Sequence, residues 1–186
     1  MDNRKIMMGS AALLLFVLAA CLPTIAAKSA EQKAPTAKEL LGGPWVNTSK
    51  GEAHTIASRL GKVTVVHFWT FGCINCKRNL PIYAKWQKQF AKQDVEIIGI
   101  HTPETEEEKV ADNVLKRVKE MGITYPVLLD QKRENWNRWE QEYWPTVYVI
   151  DRKGRVRYRW TGELEYKSAG GTAIVEEQIT KLLLEK

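Results

Sequence analysis

Cys73-Ile74-Asn75-Cys76 constrains this chain more than any other segment, because of what flanks it. Ahead lies the apolar, β-branched run Val63-Thr64-Val65-Val66-His67-Phe68-Trp69, which is strand-like; behind lies a stretch with helical periodicity, Leu80, Tyr83, Ala84, Trp86 and Phe90. Two thiols at a strand-to-helix turn place the first at a helix N-terminus, where unpaired N–H groups and the macrodipole stabilise a thiolate. Such placement lowers a thiol pKa from about 8.5 into a range of roughly 3.5–7.5. The setting points to redox chemistry over a purely structural role.

The N-terminus explains the odd number of cysteines. Arg4 and Lys5 precede an apolar stretch from Ile6 to Ala20, too short for a comfortable membrane span and of the length of an export signal. Leu18-Ala19-Ala20-Cys21 reads as a lipobox, with cleavage before Cys21 and lipidation of that residue; ordinary cleavage after Ala26 or Ala27 is the alternative. By either route Cys73 and Cys76 become the only thiols available to each other, outside the cytosol, where a dithiol can be oxidised. The expected organisation is a signal over 1–20, a flexible tether over 21–43 and one domain over 44–186.

Within the domain, Val95–Ile100 reads as a second buried strand and Glu106–Met121 as a helix. Tyr125–Leu129 is a third apolar run, Asn135–Tyr143 a short helix, and Thr146–Ile150 with Arg155–Trp160 a hairpin across Asp151–Gly154. A last helix carries Ile174, Val175, Ile179, Leu182 and Leu183. The alternation gives an α/β sandwich around a mixed sheet. Pro81, inside the first helix, is expected to kink it. The charge balance, 28 Lys and Arg against 22 Asp and Glu, is dispersed and carries no basic-aromatic pattern, which argues against nucleic-acid binding.

These pieces resemble the thioredoxin-like proteins. Phe68-Trp69-Thr70-Phe71-Gly72-Cys73-Ile74-Asn75-Cys76 is similar to their active-site turn, Pro81 to their helix proline, and Trp144-Pro145-Thr146 to their cis-proline loop. The long segment between Ile100 and Pro145 resembles the extracytoplasmic TlpA/ResA branch, and FWTFGCINC, GIHTPE, TYPVLLD and YWPTVYVID resemble the C-terminal domain of DipZ proteins. The resemblance implies a thioredoxin-like sandwich, a central mixed β-sheet flanked by helices, with the extra helix-containing insertion of TlpA-like proteins. It implies a thiol:disulfide oxidoreductase acting through a redox-active Cys73–Cys76 disulfide, Cys73 attacking and Cys76 resolving, as a reductase or isomerase rather than an oxidase. Substrate would lie against Trp144, Pro145 and Thr146. Expected partners are disulfide-containing or dithiol proteins, a DsbD/CcdA-like membrane electron donor, and the membrane surface through a lipid on Cys21. The expected location is the periplasm or the outer face of a bacterial membrane.

Departures from the family pattern concern proton handling. His67 stands where thioredoxins keep a buried acid, Asn79 where ResA-like proteins place a glutamate, Gly72 in place of a tryptophan, and Ile74-Asn75 in place of Gly-Pro. His67 is read either as a proton acceptor for Cys76 or as a core histidine, and His101 either as overhanging the site or as part of a turn. Glu104, Lys77 and Arg78 are read as weaker candidates, and Trp136, Trp139 and Trp144 as core or groove lining. No cofactor is expected: a metal site needs about four ligands and a second cysteine pair is missing, and haem attachment needs a histidine where Lys77 stands. Two rivals are a peroxiredoxin-type thiol peroxidase, suggested by the spacing Thr70-Phe71-Gly72-Cys73 but lacking a proline at Val66, and a non-catalytic binding lipoprotein.

Overall fold

Strand β2 (Val63–Trp69) is buried at every residue, which requires cover on both faces of the sheet it belongs to. Its side chains alternate accordingly. Val63, Val65 and Trp69 enter one apolar cluster, whereas Val66 and Phe68 enter the other. The computed structural model describes residues 34–49 and 52–185; the signal over 1–20 and Cys21 lie outside them.

The described elements run β1 (Trp45–Val46), β2, α1 (Ile74–Gln89), β3 (Val95–His101), α2 (Ala111–Glu120), β4 (Val127–Leu129), α3 (Glu134–Arg138), β5 (Thr146–Ile150), β6 (Val156–Thr161) and α4 (Gly171–Leu184). The sheet order is β1-β4-β3-β2-β5-β6. Strands β2, β3 and β4 are parallel, while β1, β5 and β6 join antiparallel. Helices α1, α2 and α4 supply Tyr83, Trp86, Val114, Val118, Val175 and Ile179 to the cluster on one face. Trp136 of α3 and Trp139 just after it cover the other face, together with Ala37, Leu40 and Ile56. This is the mixed sheet flanked by helices expected from sequence, with α2, β4 and α3 forming the long segment before Pro145.

Two expectations shift. The second half of the expected tether packs on the domain: Ala37 and Leu40 are buried, Ala37 N–H donates to Gly154 O, and Val156 N–H donates to Pro35 O. Two apolar residues in a Lys/Ala/Pro-rich stretch carry no periodicity, so only the tertiary contact shows their role. The second long helix starts at Ala111 rather than Glu106, because a 3-10 turn over Glu107–Lys109 precedes it and Val110 is extended. Pro81 lies in the second turn of α1, and the helix continues past it to Gln89.

Candidate active site

The parallel strands β2, β3 and β4 end together, with Trp69, His101 and Leu129 in register. Loops following such strand ends gather where helix N-termini also point, the usual position of a site in an α/β sheet. Thr102 N–H donates to Trp69 O at 3.0 Å and Asp130 N–H to His101 O at 2.9 Å, so the three exits are stitched together. Strand β5 runs antiparallel to β2 with Thr146 opposite Phe68. The Trp144–Pro145 bond is cis.

Cys73 is the N-cap of α1, with extended φ/ψ of −71° and 115°, and its Sγ accepts the Cys76 N–H at 3.2 Å. It is half-buried, whereas Cys76, within the first turn, is 1% exposed; the two thiols are unbridged. Their acidities separate for this reason. The Cys76 thiol donates to Cys73 and holds its pKa down to about 7; burial opposes this, the N–H groups of Cys76 and Asn75 assist, and the Glu104 charge opposes. Burial pushes Cys76 far above the ordinary thiol range, reinforced by its hydrogen bond to Cys73 and the Cys73 charge. Thus one sulfur is an accessible thiolate near neutral pH and the other a protected thiol.

His67 is fully buried, stacked on Tyr83 with ring centroids 4.1 Å apart and edge-on to Tyr125 at 5.4 Å. Neither ring nitrogen has a hydrogen-bond partner among the described residues, and burial lowers its pKa to about 3. It is therefore neutral at physiological pH and bonded to neither thiol. Gly99 is its counterpart on β3, since a Cβ there would come within 3.1 Å of both His67 Nε2 and Trp69 Nε1.

His101 is also buried, stacked on Phe71 at 5.5 Å, with Nε2 3.5 Å from Thr70 Oγ1. Burial brings its pKa to about 4, against the opposing Glu108 charge. Asn79 serves the fold: its side chain donates to Gly162 O and Tyr83 Oη and accepts Leu164 N–H, tying α1 to the segment after β6.

Trp144 stacks on Trp136 at 3.9 Å, with the Arg133 guanidinium over both rings at 5.2 and 4.9 Å. Ile74 and Tyr143 are exposed to 59% and 60%, leaving apolar surface on either side of the dithiol turn and the Pro145 loop. Thr146 is buried and donates its hydroxyl to Tyr143 O, bracing that loop.

Glu108 escaped the sequence reading. It ends an acidic run, Glu106-Glu107-Glu108, that looks like solvated surface, yet it is 1% exposed. Only its place beside the dithiol turn, decided by the fold, separates it from its neighbours.

The strand order, the dithiol at a helix N-cap and the cis-proline segment leading into β5 make up a thioredoxin-like fold. The AhpC/TSA family pattern matches residues 30–159, and the chain belongs to that family. The DipZ protein of Mycobacterium bovis is 38% identical over 133 residues, 72% of this chain and 19% of its own length. The chain thus spans about a fifth of the DipZ proteins it matches. The thiol-disulfide oxidoreductase ResA of Geobacillus kaustophilus is 29% identical over 82% of this chain and 86% of its own. Among solved structures, the thioredoxin-like superfamily protein SPOA0173 superposes with a TM-score of 0.73 at 24% identity, covering 82% of this chain and 99% of that one.

Proposed function

We propose that the domain exchanges its Cys73–Cys76 dithiol with disulfides of protein substrates. The Cys73 thiolate attacks one sulfur of a substrate disulfide, forming a mixed disulfide and expelling the other substrate sulfur as a thiolate. Cys76, deprotonated in the course of the step, attacks Cys73 Sγ and releases the second substrate thiol, leaving the Cys73–Cys76 disulfide. Two electrons pass to the substrate, and a dithiol reductant must restore the pair. The observation that carries this reading is the split between a half-buried Cys73 thiol with pKa about 7 and a buried Cys76 thiol raised far above it.

The apolar rim of Ile74, Tyr143 and Trp144 suits a polypeptide rather than a small charged substrate. Resemblance to TlpA, ResA and DipZ proteins supports work as a reductase or isomerase outside the cytosol, fed by a DsbD/CcdA-like membrane donor, with Cys21 as a lipid anchor. Among the described residues no helix is long and apolar enough to cross a membrane.

Reduced protein is mixed with insulin and, separately, with hydrogen peroxide. Disulfide reduction that Cys73→Ser abolishes, with Cys76→Ser accumulating a mixed disulfide, is the expected result. Rapid peroxide turnover with negligible disulfide exchange would establish instead the peroxidase reading, which the Thr70–Cys73 spacing suggests and which Val66 in place of a proline and the nearby Cys76 argue against. Direction is read from the reduction potential of the pair against glutathione: a value well below that of protein disulfide isomerase, about −180 mV, fits a reductase.

A further inference from the structure

Glu108 bridges the two loops that leave β2 and β3. Its Oε1 accepts the Gly72 N–H at 2.7 Å, and its Oε2 accepts the N–H groups of Glu104 at 2.7 Å and Thr105 at 2.9 Å. Burial works against the charged form, but these donors outweigh it and hold the carboxyl below the usual carboxylate range. A buried carboxylate with three backbone N–H donors is ionised and strongly held.

The connections matter because of what each loop carries. Gly72 immediately precedes Cys73, and Thr70 O accepts the Cys73 N–H at 3.3 Å. The second loop carries Glu104, whose charge opposes ionisation of both cysteines. Gly72 is shaped to the contact: a Cβ there would come within 2.7 Å of Glu108 Oε1. That supplies a physical reason for glycine where thioredoxins carry tryptophan. His101 also feels the Glu108 charge and is neutral near pH 7.

We propose that Glu108 is a positioning residue for the dithiol, clamping the Thr70–Gly72 turn so that Cys73 stays aligned with the N–H groups at the start of α1. The inference rests on the reading of Cys73 as the attacking thiol. Removal of the clamp and removal of a charge act in opposite directions on Cys73. Losing the alignment raises the Cys73 pKa, whereas losing a nearby negative charge lowers it.

The test is the pH dependence of iodoacetamide alkylation at Cys73, located by peptide mapping, in wild type, Glu108→Gln, Gly72→Ala and the double variant, with thermal melting in parallel. In Glu108→Gln the amide nitrogen cannot accept from the backbone N–H groups. In Gly72→Ala the methyl group displaces Oε1. Both midpoints are expected to rise from near 7 toward the free-cysteine value of about 8.5, lowering the rate at pH 7 by about tenfold, with little further change in the double variant. A lowered melting temperature with an unmoved midpoint makes Glu108 structural only and overturns the proposal; so does a midpoint that falls. Insulin reduction by wild type is scored separately, so failure of the exchange reading is distinguishable from failure of the clamp.

Discussion

His67→Leu isolates the consequence of burying an imidazole with no partner. The native pKa is about 3, while the unfolded imidazole titrates near 6.5. Below pH 6.5 the unfolded chain therefore binds a proton that the native chain refuses, and stability falls as pH falls. The loss begins near pH 6.5, accumulates toward about pH 3 and then levels off. At pH 5 the gap to the unfolded pKa is about 1.5 units, which at about 1.36 kcal/mol per unit costs roughly 2 kcal/mol. His101, with a native pKa of about 4, loses a similar amount over the same range. Wild type should thus lose about 4 kcal/mol between pH 7.5 and 5 from these two groups, and His67→Leu only about 2. At pH 7.5 the leucine variant should match wild type to within about 1 kcal/mol, because exchanging an unsatisfied buried polar group for an apolar one is nearly neutral.

Urea unfolding between pH 5 and 7.5 reads the difference. With a slope of roughly 2 kcal/mol/M, the half-unfolding points of the two proteins should diverge by about 1 M on going from pH 7.5 to pH 5. Parallel curves would refute the reasoning, since they would mean that His67 titrates alike in the folded and unfolded chains. A loss of several kcal/mol at pH 7.5 would refute it differently, by showing that the imidazole has a polar partner. The same variant addresses proton handling: an unchanged pH profile of Cys73 alkylation is expected, because His67 bonds to neither thiol.

Asn79→Ala should destabilise by about 2–3 kcal/mol at neutral pH, measured by denaturant unfolding, because it strands the buried Leu164 N–H and frees the Gly162 and Tyr83 oxygens of their donor. It should leave the Cys73 alkylation midpoint in place, which separates it from a substitution at Glu108. Deleting residues 34–43 should cost about 2–4 kcal/mol, since Leu40 and Ala37 leave the core beside Trp136 and Trp139. A true tether would be removed without change in melting temperature.

The strands and helices were legible because their periodicities are strong. β2 is a continuous apolar run and α4 repeats its apolar residues at helical spacing, so local pattern and tertiary burial agree. The dithiol was legible for a related reason: a helix N-cap is a local feature, and the chemistry of Cys73 follows from it. Residues 34–43 were misjudged because burial of Ala37 and Leu40 depends on a surface formed by α3 and β5–β6, far along the chain. Glu108 was missed for the same cause. Its donors come from Gly72, 36 positions away, as well as from its own loop, and nothing in a run of three glutamates marks the one that turns inward.

The sequence by itself therefore determined the sheet strands and the placement of the two thiols at the start of a helix, since each depends on residues within a turn or two of one another. Only the tertiary structure decided what surrounds the thiols. Whether His67 meets a partner, whether Asn79 faces a charge or an amide, and whether Glu108 reaches the Gly72 N–H depend on distances between elements remote in sequence. A buried polar group takes its acidity from those distances.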